Sequence, residues 1–275
     1  MARTDTVIRL RKNQTLRMKP FNGLYQTGKA IVSKSIVIIL FLALWEVIPR
    51  LGLVEVAFFP PISVVLSGLW ELIATGQLTT HLVASLTRSV VGFTLALIIA
   101  IPIGLLIGWF KPISDLFNPI LEAFRNTAAL AILPVFILLL GIGEASKVAV
   151  VLYACFFPIL LSTISSVRNV DPLFIKSARS MALSPFRLFI KVILPAAIPT
   201  IFVGIRLAAA GSILVLMAAE MIGAKAGLGY LIINSQHSFQ IPYMYAGIIT
   251  ISVIGMLVNY SLLRLEKRLT PWKID

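Results

Sequence analysis

Two charges sit inside one long apolar run of this chain, Arg206 and Glu220 within residues 196–222. A charge near the centre of a bilayer costs about 2.5–3.5 kcal/mol on insertion scales, so such residues face a bundle interior or a watery path. The separation of 14 residues, at roughly 100° each, brings both onto nearly one helix face, about 21 Å apart and too distant to pair within the helix. The functional reading makes Arg206 the cationic element of an anion pathway, with Glu220 nearer an outer gate. The structural reading ties Arg206 to helix-end carbonyls or another span, and holds Glu220 at the outer interface. Other chemistries find no residues. His81, His237 and Cys155 do not assemble with acids or serines into a nucleophilic set, and His81 has no partner at metal-ligand spacing. No G-x-x-x-x-G-K-[ST] loop occurs, and Gly227-Leu228-Gly229 lacks the preceding strand of a phosphate-binding turn. The chain is read as no enzyme by itself, binding no cofactor or metal.

The elements that must position these charges are membrane spans. Of 275 residues, 59% are hydrophobic and 13% charged, with mean hydropathy +0.97, which excludes an ordinary soluble globular protein. Apolar runs predict six spans, near 36–53, 86–109, 127–140, 148–167, 196–222 and 244–263. The first begins too far in to be a cleaved signal segment and is read as retained. Pro60-Pro61 breaks the chain after it, and 62–82 reads as an interfacial helix and loop. Gly92, Ala96, Ala100, Gly104 and Gly108 recur every fourth residue, a small-residue ladder for close helix packing. Pro134 is expected to interrupt the third span, and Cys155 to be a small buried hydrophobe.

The net charge of +13 is segregated by position, which argues for topology rather than nucleic acid. With both termini inside, cytoplasmic segments hold 19 of the 24 basic residues, eight of them in the 1–35 tail. The organisation expected is therefore a basic cytoplasmic tail (1–35), a six-span domain (36–265) and a cytoplasmic C-terminal tail (266–275) carrying Trp272.

The most basic internal segment, 168–195, lies between the fourth and fifth spans. Asp171 followed by Pro172 is an N-cap and first-turn proline. Phe174, Ala178, Met181 and Ala182 follow at helical spacing as one apolar stripe, with Lys176 and Arg179 on another face. Ser184-Pro185 repeats the device and starts a second helix, which runs to a bend at Leu194-Pro195. Two short helices meeting at an elbow suit docking into a groove of another protein.

This segment resembles the cytoplasmic coupling loop of binding-protein-dependent ABC importer permeases, whose pattern is Glu-Ala-Ala, three residues, Gly, nine residues, Ile-x-Leu-Pro. Lys176-Ser177-Ala178 stands on Glu-Ala-Ala, Ala182 on the Gly, Val192 on the Ile, and Leu194-Pro195 on the end. The chain thus departs at Lys176, Ser177 and Ala182. Further pieces, Pro60-Pro61-Ile62-Ser63, Leu133-Pro134-Val135-Phe136, Gly141-Ile142-Gly143-Glu144, Ala218-Ala219-Glu220-Met221-Ile222-Gly223, Gly227-Leu228-Gly229-Tyr230 and Arg268-Leu269-Thr270-Pro271-Trp272, are similar to the nitrate, taurine and alkanesulfonate branch. The resemblance implies an all-α integral membrane protein of the type I ABC importer permease fold, in a bacterial inner membrane. It implies a homodimer with two ATP-binding subunits, which hold ATP and Mg, and an extracytoplasmic solute-binding protein. It assigns coupling to Phe174, Lys176, Ser177, Ala178, Met181, Ala182, Leu183, Ser184, Leu194 and Pro195, and a small oxyanion as solute. The alternatives are an ABC permease for a different small nutrient, a channel, or a secondary transporter, which would show duplicated halves, and none is visible in the sequence.

Overall fold

Every described element is helical, as lipid requires of a chain that must satisfy its own backbone polar groups. The computed structural model describes residues 22–125 and 127–271, with side chains from residue 36 on. Trp272, Lys273 and the basic residues of 1–21 lie outside the described residues. Two units divide the chain, residues 1–63 and 64–275.

The first unit contains α1 (Asn22–Arg50), which ends three residues before the expected boundary at Leu53. Its apolar residues 36–41 are each more than half exposed, a surface suited to lipid. The Pro60-Pro61-Ile62-Ser63 turn is fixed locally. The Trp45 indole Nε1 donates to the Pro60 carbonyl at 3.1 Å, and Glu46 accepts from the Ser63 amide and hydroxyl at 3.0 and 2.8 Å.

The second unit holds the long helices. After α2 (Ile62–Ala74) come α3 (Gln77–Trp109) and α4 (Lys111–Arg125), then a 3-10 turn (Ala129–Ile132) and α5 (Leu133–Leu140). Next are α6 (Glu144–Arg168) and α7 (Pro172–Ser180). The chain continues through α8 (Pro185–Leu188), a π-helical turn (Phe189–Ile193) and α9 (Leu194–Met221), and ends with α10 (Leu228–His237) and α11 (Ile241–Leu269). Among the described residues, four helical stretches are long and apolar enough to cross a membrane: α3, α6, Pro185–Met221 as one rod, and α11. A fifth is the pair formed by α4 and Ala129–Leu140, bent by 86°.

The small-residue ladder is the packing face of α3. Ala96 and Ala100 are fully buried, and a Cβ added at Gly92, Gly104 or Gly108 would come within 2.7–2.9 Å of Val151, Thr163 and Val167 on α6. Backbones this close gain dispersion over their length, the main attraction available between helices in lipid. Cys155, on the same α6 face as Val151, is fully buried as expected.

Three departures from the sequence reading have a clear local cause. The second span starts at Gln77, not Leu86, because polar Thr79-Thr80-His81 occupy its first turns, where helix continuity outweighs hydropathy. Pro134 does not interrupt a helix; it stands at the start of α5, where its missing amide costs nothing. Leu194-Pro195 does not bend the chain out of a surface helix. The π-helical turn ahead of it absorbs the missing donor, and the helix runs on from Pro185 to Met221.

Candidate functional site

Two polar sites lie at opposite ends of the bundle. The 25 residues of α6 span roughly 37 Å. Arg168 at one end leads into the loop that carries α7 and α8, and Glu144 at the other joins a cluster of buried charges. The rod from Pro185 connects the same two ends, leaving the loop and finishing beside Glu220.

At the loop, Asp171 caps α7 as expected, its carboxylate accepting from the Leu173 amide at 2.8 Å, with Pro172 in the first turn. The end of α7 is a Schellman motif. The Ala182 amide donates to the Arg179 carbonyl at 2.9 Å and the Leu183 amide to the Ala178 carbonyl at 3.4 Å, while Ala182 takes φ 53°. That conformation favours glycine, so the family's glycine here answers a backbone demand as well as a steric one. The expected single stripe is divided. Ala178 is buried against the core with Leu183 half-buried beside it, whereas Phe174 and Met181 are 55% and 75% exposed. Phe174 and Met181, seven residues apart, with Leu173 make an exposed apolar surface of α7, and Lys176, Ser177 and Arg179 lie exposed on the same helix; Phe186 is exposed too and lines a hollow with Leu105 and Trp109 of α3. Ser184 starts α8 through its carbonyl, which accepts from the Leu188 amide at 2.8 Å, but its hydroxyl makes no cap bond. Leu194 and Pro195 are half-buried in the rod.

At the far end, Glu220 is fully buried and fully bonded. Its carboxylate accepts from Arg88 Nη1 at 2.6 Å, from the Ser85 hydroxyl at 2.8 Å and from the Gly229 amide at 3.0 Å. Arg88, 4% exposed, also donates from Nη1 to the Ala226 carbonyl at 2.7 Å and grips Glu144 with Nε and Nη2 at 2.5 and 2.7 Å. Ser85 Oγ accepts from the Leu228 amide at 2.8 Å, and His81 Nδ1 accepts from the Gly227 amide at 3.2 Å. The loop 226–229 is thus laced onto α3 and α9 by one carboxylate, one guanidinium, a hydroxyl and an imidazole. Gly227 must be glycine for this, since its φ is +132° and a Cβ would lie 2.5 Å from both Glu220 oxygens. A Cβ on Gly229 would overlap the Met217 carbonyl. Beside the cluster, a cavity of about 220 Å³ between α3, α9 and α11 is lined by Ser85, Ser89 and Ser212 among apolar side chains.

The two expected pathway residues are not brought together. Arg206 Nη1 lies 3.5 Å from Glu266 Oε2 on α11, so another span holds it, and Glu220 belongs to the far cluster. Sequence reasoning missed Arg88, Ser85 and His81. The available signal was Arg88 itself, a third charge beside an apolar run that needs a buried partner. Among the described residues no group of three His, Cys, Asp or Glu is placed to hold a metal.

A helical membrane protein with a short two-helix loop between its long spans is defined by this geometry. Solved structures agree at the level of fold. The methionine ABC transporter MetNI in an inward-facing conformation matches with TM-score 0.61 at 17% identity, over 68% of this chain and 93% of that one. An amino acid ABC transporter matches at 0.55, also at 17%, over 74% of this chain and 98% of that one. Residues 100–271 match the family described as binding-protein-dependent transport system inner membrane component, and the chain belongs to that family. Its relatives include a Bacillus subtilis (strain 168) protein named for aliphatic sulfonates transport, SsuC, 34% identical over 94% of this chain and 93% of the relative. The taurine transport system permease protein TauC of Escherichia coli (strain K12) is 33% identical over 84% and 86%. The nitrate import permease protein NrtB of a Synechocystis species is 32% identical over 68% of each. The chain is a membrane permease component of an ABC transport system and leaves ATP hydrolysis to a separate subunit.

Proposed function

We infer that the chain imports a small oxyanion, a sulfonate first among them, as one of two identical permease copies. Two ATP-binding subunits carry ATP and Mg beneath it in the cytoplasm, and a solute-binding protein delivers solute on the other side. Both termini and the loop 168–195 face the cytoplasm, the orientation that the basic residues favour. The observation that carries this reading is the exposed apolar ridge of Leu173, Phe174 and Met181 on α7. These large apolar side chains are 55–75% exposed on a loop otherwise edged with lysine and arginine. An apolar ridge of this size fits a groove in a partner. Its attachment through α6 and the rod lets closure of the ATP-binding subunits move whole spans as rigid bodies. The names of relatives covering most of the chain support sulfonate, taurine or nitrate as the solute class.

The experiment is co-purification. The permease, co-expressed with the ATP-binding subunit of its own transport system, is isolated from membranes through a tag on that subunit. Wild type should come down with it. Phe174→Asp together with Met181→Asp should insert in the membrane yet be lost from the complex. Retention of the double variant at wild-type level would overturn the assignment of this ridge.

A further inference from the structure

The geometry points to Arg88 as an anion-binding residue at the mouth opposite the docking loop, with Glu144 as a displaceable stand-in for the anionic head of the solute. This rests on the reading of the chain as an oxyanion permease. The guanidinium is divided into two edges. Nη1 is committed to Glu220 and the Ala226 carbonyl, both parts of the fixed lacing of the loop. Nε and Nη2 form the other edge, and their only acceptor among the described hydrogen bonds is the Glu144 carboxylate, 71% exposed on a guanidinium that is itself 4% exposed. A buried fork covered by one solvent-exposed carboxylate is a site whose cover another anion can replace in exchange. The two parallel N–H donors suit any group offering two oxygens on one atom, a sulfonate as well as a carboxylate.

Charge balance makes the same demand. Lys147, one turn along α6, is 3% exposed, and its ammonium donates to the Gly143 carbonyl at 3.0 Å. Arg88 and Lys147 together bring two buried positive charges, and Glu220 brings one buried negative charge. The sum is neutral only while Glu144 stays. An anion arriving from the mouth replaces it without leaving a buried cation uncompensated, whereas a neutral or cationic solute cannot. The site therefore selects for charge at the entrance, and the exchange of one carboxylate for one sulfonate leaves the lacing of the 226–229 loop intact.

The test uses Glu144→Cys in the assembled permease–ATPase complex in lipid nanodiscs. Cys155 is this chain's only native cysteine and is fully buried, so the introduced thiol is the accessible one of the permease, and the complex with wild-type permease supplies the background from the other subunits. The anionic reagent 2-sulfonatoethyl methanethiosulfonate should modify that thiol faster than the trimethylammonium analogue, reversing the usual preference for cations near carboxylates. Ethanesulfonate should slow that reaction, and uncharged dimethyl sulfone should not. In parallel, Glu144→Ala should bind ethanesulfonate up to about fivefold more tightly than wild type, the most that an exposed ion pair opposes. Equal rates for the two reagents, or equal protection by the sulfone, would overturn the site. Uptake of sulfonate by the wild-type complex is measured separately, so loss of the site with uptake intact leaves the permease reading standing. Protection by ethanesulfonate without any sulfonate uptake would contradict the role of this site in transport.

Discussion

Arg88 Nη1 and Glu220 Oε1 lie 2.6 Å apart although 132 residues separate them, and neither is more than 4% exposed. The pair ties α3 to the end of α9, at the end of the bundle away from the loop 168–195. Breaking a buried pair strands a charge and costs about 3–5 kcal/mol. Glu220→Gln should therefore lower the yield of folded permease and its melting temperature sharply. Glu144→Gln, on the exposed side of the same guanidinium, should cost less than Glu220→Gln, because the amide oxygen still accepts from Arg88 and water reaches that edge. Replacing Arg88 by Met and Glu220 by Leu together should recover only part of the loss, because the Gly229 amide and Ala226 carbonyl lose their partners. Thermal melting in detergent orders the four proteins, and equal melting of Glu220→Gln and wild type would show the pair to be dispensable.

Glycine positions give a sharper contrast. Gly227→Ala adds a methyl against the Glu220 carboxylate at a backbone angle that only glycine adopts freely, a cost of about 1–3 kcal/mol before any steric relief. Gly211, in the middle of α9, has open space around it. Gly211→Ala should instead stabilise by up to about 1 kcal/mol. Opposite shifts in melting temperature are expected, and destabilisation of comparable size at both sites would mean that the loop does not press on the carboxylate.

Ala182 carries a φ of 53°, which glycine would adopt without strain. Ala182→Gly should stabilise the loop by about 1 kcal/mol, seen as slower proteolytic nicking at 181–184. Ala182→Trp, at an exposed position, should insert normally but reduce transport by crowding the docking surface. Lys176→Glu should be mild, since Lys176 is exposed. Unchanged uptake in Ala182→Trp would show that this corner does not meet the ATP-binding subunit.

The fold was largely legible in the sequence because hydropathy, ladder spacing and the Asp171-Pro172 cap are local signals. Ala182 shows where local reading ended. Spacing put it on an apolar stripe with Phe174 and Ala178, whereas the chain turns left-handed there and ends the helix. The far cluster was hidden for a different reason. Nothing within a few residues of Arg88 or Glu220 announces their pairing, and Arg88 read alone is only one more basic residue beside a span. The need of each for a partner was visible; which partner is settled by the crossing of α3 and α9. The π-helical turn ahead of Pro195 was equally out of reach, since proline alone announces a bend and not how the helix absorbs it.

Arg206 and Glu266 separate the pathway reading from the structural one. Their contact, 3.5 Å with Arg206 30% exposed, is of the weaker kind. If Arg206 lines the anion path, Arg206→Gln should abolish oxyanion uptake in assembled complexes while Arg206→Lys keeps part of it. If it only fastens α9 to α11, Glu266→Gln should lower stability as much as Arg206→Gln does, with uptake per assembled complex unchanged. Uptake is normalised to complex recovered by gel filtration.

The most direct measurement is solute flux under ATP control. The permease, its ATP-binding subunits and the solute-binding protein are reconstituted in proteoliposomes, with ATP on the side of the loop 168–195 and labelled ethanesulfonate with the binding protein on the other. Sulfonate should accumulate against its gradient only when hydrolysable ATP is present, and the Phe174→Asp, Met181→Asp double variant should reduce accumulation to background. Downhill flux that persists without ATP, or full accumulation by the double variant, would contradict a permease driven through this loop.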